Sequence, residues 1–308
     1  MDRRVGLKKP LWVWIFAAAL LVPARAEVFS IGTALGTKVD LEATALAPGG
    51  IILARLTAAP AVQQASLHVG KAIIRLGPPG SGLEPFGLVG LDLGLEPGPQ
   101  AVSLTVRYDD GRTETAKASI TIGPREFPQK ELTVAAKYVT PPREVEERIQ
   151  RESELLGMIY GLETPQWLGE GPFVVPHEGK MAANFGERRV YNNVPRSSHA
   201  GVDIAGPAGA PVRAANSGRV VLSRDLYFSG KTVIIDHGLG LLTVYCHFSE
   251  LRVKRGDDVE KGRVIGLAGS TGRSTGPHLH WSARLRQSRV DPAALVGQLA
   301  LSSASAPR

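Results

Sequence analysis

The chain has 308 residues, enough for two domains that each bury a core. Hydrophobic residues make up 43% and aromatics 6%, an ordinary composition for a globular protein, and 35 glycines with 22 prolines favour strands and turns over long helices. The formal net charge is +7, but residues 1–26 hold five basic residues and one acidic one, so the rest of the chain carries only +3. That excludes nucleic-acid binding as the main role, and leaves a mildly basic chain that an acidic cell wall would attract.

Residues 1–26 read as a signal peptide. Arg3, Arg4, Lys8 and Lys9 form a positive start, Leu11 to Val22 is apolar, and Ala24-Arg25-Ala26 is a small-x-small cleavage site. Twelve apolar residues fall short of the roughly 20 that span a bilayer. The expectation is therefore an exported protein, periplasmic, extracellular or cell-wall associated, with no stable membrane span after cleavage. The single cysteine, Cys246, excludes an intramolecular disulfide, and no cysteine follows the apolar run to carry a lipid anchor.

Residues 27–128 alternate short strands with turns. The clearest hairpin runs from Ala101 to Ile122. Val102, Leu104, Val106 and Tyr108 alternate on one arm, Asp109-Asp110-Gly111 turns, and Ala116, Ala118, Ile120 and Ile122 alternate on the other. Further strands are read at Gly49–Leu56 and Ala65–Val69, with turn-rich loops at Gly77–Gly82 and Pro97–Pro99. The pattern predicts an all-β-dominated chain that begins with a β-sandwich, immunoglobulin-like in architecture only. This region carries no chemistry: His68, its one histidine, reads as a strand residue.

Residues 129–171 read as a linker with a helix. Thr140 is a candidate N-cap ahead of Pro141-Pro142. Val145, Ile149, Leu155, Leu156, Ile159 and Tyr160 form a loose apolar face opposite a charged one, and Gly161 or Pro165 ends the helix.

Residues 172–296 read as a compact antiparallel β-fold, with strands around Val220–Leu222, Thr232–Asp236, Leu242–Phe248 and Val264–Ala268. Residues 297–308 read as a disordered tail. Two short motifs carry the chemistry: His199-x-x-x-Asp203, a loop entering a strand, and His278-x-His280, where period-two alternation puts both rings on one face. The same alternation predicts that Tyr245 and His247 share a face and that Cys246 points away into the core. Four histidines and one aspartate are then available to a catalytic zinc. Such a site takes three protein ligands and leaves a fourth position open, so three could hold metal and two handle protons. His237 reads as structural and His177 as a surface residue.

The stretch resembles the lysostaphin-type, or LytM, family of zinc metalloendopeptidases over about residues 172–293. The resemblance rests on Asn184-Phe185-Gly186-Glu187-Arg188, His199-Ala200-Gly201-Val202-Asp203, Ala214-Ala215-Asn216-Ser217-Gly218, Asp236-His237-Gly238, Tyr245-Cys246-His247 and Ser274-Thr275-Gly276-Pro277-His278-Leu279-His280. It implies that His199, Asp203 and His280 bind zinc and that His247 and His278 are catalytic. Asn184 stands where family members often have serine, and Tyr245 and Asn184 are candidates to line the groove. Zinc would bring the pKa of a bound water towards about 7. One of His247 and His278 would take or orient the water proton, and the other would stabilise the oxyanion or protonate the leaving amine. The implied substrate is peptidoglycan, cut at stem-peptide cross-links or at glycine bridges. The polar stretch Glu187 to Ser198 would shape specificity. Two other readings compete: a LytM-like activator without catalysis, and a scaffold in which the N-terminal domain is the working part. A third element is intramolecular regulation, with the N-terminal domain controlling access to the site.

Overall fold

The computed structural model describes residues 27–58, 61–76 and 86–296. The expected signal peptide, the Gly77–Gly82 loop and the expected tail lie outside them. Within the described residues the first domain comprises β1 (Glu27–Gly32), β2 (Lys38–Ala43), β3 (Ile51–Thr57), β4 (Val62–Val69), β5 (Ala72–Leu76), β6 (Phe86–Gly90), β7 (Gly98–Tyr108) and β8 (Thr113–Ile122). Two four-stranded antiparallel sheets, β1-β2-β3-β6 and β5-β4-β7-β8, share one core. The β7–β8 hairpin pairs Val106 with Glu114 and buries Val102, Leu104, Val106 and Tyr108, the alternating set read from the sequence. Gly98 and Pro99 open β7 instead of forming a loop.

The linker is more structured than a tether. β9 (Gln129–Leu132) adds in parallel to β10 (Arg188–Tyr191) of the second domain. Helix α1 (Glu146–Tyr160) follows a 3-10 turn at Arg143–Val145 and stops at Gly161. Thr140 does not cap it. Thr140 and Pro141 each precede a proline, which disfavours helical backbone, so the first helical turn waits until Pro142 is passed. Glu146 and Glu147 in the first turn favour the positive end of the dipole, and the pair Arg148–Glu152 (2.6 Å) spans one turn. Glu152 is buried and accepts a hydrogen bond from the Tyr227 amide at 2.7 Å, which ties the helix to the second domain.

That domain continues with β11 (Val194–Ser198), β12 (Gly201–Ala205), β13 (Pro211–Arg213), β14 (Gly218–Leu226), β15 (Gly230–Asp236), β16 (Leu241–Phe248), β17 (Glu250–Leu251), β18 (Asp258–Val259), β19 (Val264–Leu267), β20 (His278–Leu285) and β21 (Ser288–Val290). Its main sheet runs β12-β20-β16-β15-β14-β18, with β21 paired to β20. One face packs on the β13-β19-β17 sheet through Val233, Ile235, Tyr245, Leu279 and Trp281. On the other face Leu222, Ile234, Leu242, Val244 and Cys246 meet Leu155, Leu156, Ile159 and Tyr160 of α1. Burying Ile159 alone is worth about 1.5–3 kcal/mol, so α1 belongs to this domain.

The sandwich docks on the β20–β21 hairpin and the turn after it. Leu88 and Leu93 join the second domain's core, Asp92 pairs with Arg289 (2.6 Å), and Arg125 pairs with Asp291 (2.7 Å). No helix among the described residues is long and apolar enough to cross a membrane.

Candidate metal centre

Strand register assembles half of the site. β12 and β20 run antiparallel with Asp203 opposite His280 and Ala205 opposite His278, and β16 places Cys246 opposite His280. Directly opposed residues share a sheet face. Asp203, His278, His280 and Cys246 therefore lie on one face, while Ile204, Leu279, Trp281 and Tyr245 fill the core on the other. His199 sits just before β12. Its amide donates to the Glu187 carbonyl (2.9 Å) and its carbonyl accepts from Gly186 (2.7 Å), so two main-chain bonds set the ring's height above the sheet. Gly201 lets the turn close, because a Cβ there would lie 2.5 Å from the Trp281 carbonyl.

Three candidate ligand atoms converge. His199 Nε2 lies 2.8 Å from His280 Nδ1, and Asp203 Oδ1 lies 3.1 Å from each. A tetrahedral zinc with bonds of about 2.0–2.1 Å separates its ligand atoms by about 3.3 Å. The triangle, and a donor set of two imidazoles and one carboxylate, fit such an ion. The outer partners fit it as well. His199 Nδ1 donates to the Asn184 carbonyl at 2.9 Å, which leaves Nε2 as a lone pair facing the triangle. The second oxygen of Asp203 accepts from Arg189 (2.6 Å) and from Asn184 Nδ2 (2.9 Å), and the Asp203 amide donates to Asn184 Oδ1 (3.1 Å). Burial works against ionisation of Asp203, but its polar contacts with His199 and His280 outweigh it and hold the carboxyl far below its usual range. Burial pushes His280 down to about 4, so its ring is neutral and able to ligate at pH 7.

His247 arrives by a different route from the one alternation predicts. Pairing between β15 and β16 slips at Cys246–His247, and His247 takes a left-handed backbone with φ 67°. The bulge re-aims the ring out of Tyr245's face and onto the face of the triad. Tyr245 stays fully buried, its hydroxyl hydrogen-bonded to Thr243 Oγ1 (2.9 Å) and accepting from the Ala215 amide (2.9 Å), so it does not line the groove. Cys246 is a buried thiol as expected, but on the His280 face rather than the opposite one. Burial pushes its pKa up to about 12. His247 and His278 stand side by side with ring centres 4.9 Å apart. Each donates Nδ1–H to a main-chain carbonyl, His247 to Thr271 (2.7 Å) and His278 to Gly276 (2.8 Å), so each leaves an Nε2 lone pair. The Nε2 of His278 lies 3.6 Å from Asp203 Oδ1. Burial first, then His280 and His278, push His247 down to about 3.

Two further histidines of this domain fall elsewhere. His237 is fully buried, bonded to the Ser217 carbonyl (2.8 Å) and Thr243 Oγ1 (2.7 Å). His177, expected at the surface, is buried with Nδ1 on the Pro211 carbonyl, because the segment before the motifs pairs with β13 and packs under Gly206. The sequence does not mark Arg189 as a site residue, and Asn184, expected to line the groove, instead holds Asp203. Their only signal was their place in the Asn184–Arg188 stretch and its flank.

The sequence profile of peptidase family M23 matches residues 197–292, the segment that contains all five candidate site residues. A solved structure described as a peptidase M23 from Pseudomonas aeruginosa superposes with a TM-score of 0.60 at 30% identity, covering 82% of this chain and 95% of that one. The chain belongs to peptidase family M23. Among curated relatives it is 40% identical over 115 residues to the peptidoglycan DD-endopeptidase ShyA of Vibrio cholerae, which is 37% of this chain and 27% of that protein. It is 43% identical over 98 residues to the DD-carboxypeptidase/endopeptidase Mpg of Neisseria gonorrhoeae, 32% of this chain and 23% of that protein. The chain thus spans about a quarter of the length of the curated relatives it matches.

Proposed function

We propose that this protein is an exported zinc metalloendopeptidase that hydrolyses peptide bonds in peptidoglycan. The observation that carries the reading is the convergence of His199 Nε2, Asp203 Oδ1 and His280 Nδ1 within 3.1 Å, with the His247 and His278 rings alongside. His199, Asp203 and His280 hold the metal. Arg189 and Asn184 hold Asp203, and the Asn184 carbonyl holds His199. When bound, the cation supplies a Lewis acid that acidifies water and polarises a peptide carbonyl. His247 and His278 divide the remaining work. The Nε2 of one accepts the proton of the attacking water, and the other stabilises the oxyanion or protonates the leaving amine.

The DD-endopeptidase names of the relatives favour a stem-peptide cross-link over a glycine bridge, since glycine has no D form. Action on peptidoglycan agrees with a periplasmic or cell-wall location. The test is digestion of purified peptidoglycan with and without chelator, with products identified by mass. Chelator-sensitive release of cross-linked peptides is expected, and loss of activity on His278→Ala with zinc retained. A folded native protein that binds no zinc and releases nothing overturns the reading in favour of a non-catalytic activator.

A further inference from the structure

A cavity of about 230 Å³ opens beside the triad and runs under α1. It is lined by His199, His247 and His280 at one end and by Leu156 and Tyr160 of α1 at the other. Three arginines line it, Arg189, Arg273 and Arg284, and no carboxylate does. Arg189 is already paired with Asp203 and Glu187. Arg273 has no salt bridge or side-chain hydrogen bond among the described residues. Its guanidinium lies 4.7 Å from the Tyr191 ring centre and 4.9 Å from that of Phe228, held between the two faces. Arg273 also belongs to the loop that aims both proton-handling histidines. Thr271, two residues before it, accepts from His247, and Gly276, three residues after it, accepts from His278. Burial first, and the nearby Arg196 and Arg189, draw its pKa below the usual arginine range, so the cation sits where a negative charge is missing.

We infer that this cavity is a carboxylate subsite of the peptidase and that Arg273 is the specificity-determining residue that binds a free carboxylate of the peptide substrate next to the bond cut. The inference rests on the proposed peptidase activity. A cross-link formed on the side-chain amine of a diamino-dicarboxylic residue leaves free the second carboxylate on that same carbon, directly beside the scissile amide, and Arg273 lies in the loop beside the groups that act on that amide. A planar guanidinium suits a carboxylate bidentately. Rings on both sides fix its plane at little entropic cost.

Two synthetic stem-peptide dimers test this, differing only in whether the carboxyl group beside the cross-link is free or a carboxamide. kcat/KM is measured on the zinc-loaded full chain, and Kd on the chelator-treated full chain with its fold checked by circular dichroism. A charge-assisted hydrogen bond is worth about 10- to 100-fold, so the native protein is expected to prefer the free carboxylate by that factor in both measurements. Arg273→Gln brings the preference to within about twofold of one, Arg273→Lys retains part of it, and Arg284→Gln retains most of it. A native protein with no preference in Kd overturns the inference without any variant. So does an Arg273→Gln variant that weakens both dimers equally, or a preference lost on Arg284→Gln alone. If the Kd preference stands while the zinc-loaded protein cuts neither dimer, the carboxylate site survives and the peptidase reading fails.

Discussion

Replacing Asn184 with alanine removes two hydrogen bonds from Asp203 at once, the one from Nδ2 to the carboxylate (2.9 Å) and the one that receives the Asp203 amide (3.1 Å). The main-chain carbonyl of residue 184 still accepts from His199, so that ligand keeps its orientation. Arg189 still holds the outer oxygen of Asp203 at 2.6 Å. The variant therefore loosens one ligand of three without removing any. Loss of such an outer partner costs about 10- to 100-fold in metal affinity, and with Arg189 in place the lower end, about tenfold or 1.4 kcal/mol, is expected. Arg189→Met removes the charged partner and leaves only Asn184 behind the part-buried Asp203, so about 100-fold is expected there. The double variant should lose less than the product, because both residues serve one carboxylate. Asn184→Ser keeps one bond and should fall between native and alanine. The assay is competition for zinc against a chelating dye at neutral pH. An Asn184→Ala Kd within twofold of native would refute the account of Asp203 as a ligand held from behind.

His247→Ala should keep its zinc by metal analysis yet lose about 100-fold or more in kcat, the usual worth of a positioned proton-transfer group; full turnover would show that the ring only packs. Burial holds His237 down at about 4 against an ordinary 6.5. The unfolded chain therefore takes up the proton first, and the stability present above about pH 6.5 is lost as the pH falls towards 4, by about 3 kcal/mol. Urea unfolding at a series of pH values should show this slope in the native protein and a shallower one in His237→Gln; equal slopes count against it. Gly230 has φ 64°, and a Cβ there would lie 2.4 Å from the Thr271 carbonyl carbon. Gly230→Ala should cost about 1–3 kcal/mol in stability and lower kcat as well, because Thr271 aims His247. Thermal unfolding and kinetics check the pair, and a stable variant with native kcat would refute the link.

The sequence alone determined what could be read from local rules. Period-two alternation put His278 and His280 on one face, and strand pairing then brought Asp203 opposite His280. The turn chemistry of Asp109-Asp110-Gly111 and the alternation around it marked the β7–β8 hairpin. Composition and motif spacing carried the family resemblance, because ligands with short separations on regular strands keep their spacing in the chain. Other features depend on contacts between distant segments. The bulge that turns His247 towards the triad comes from a register slip against β15; it breaks the shared face of Tyr245 and His247, while Cys246 keeps its register opposite His280, so both Cys246 and His247 lie on the site's face. Asn184 and Arg189 reach Asp203 only when their segment folds beside β12, so the Asn184–Arg188 stretch could be noticed in the sequence but its hold on Asp203 could not. His177 is buried because β13 closes over it. The resting place of α1 on the face that bears the histidines, and the arginine-lined cavity this creates, follow from tertiary packing, since an amphipathic pattern says that a helix must cover something and not what it covers.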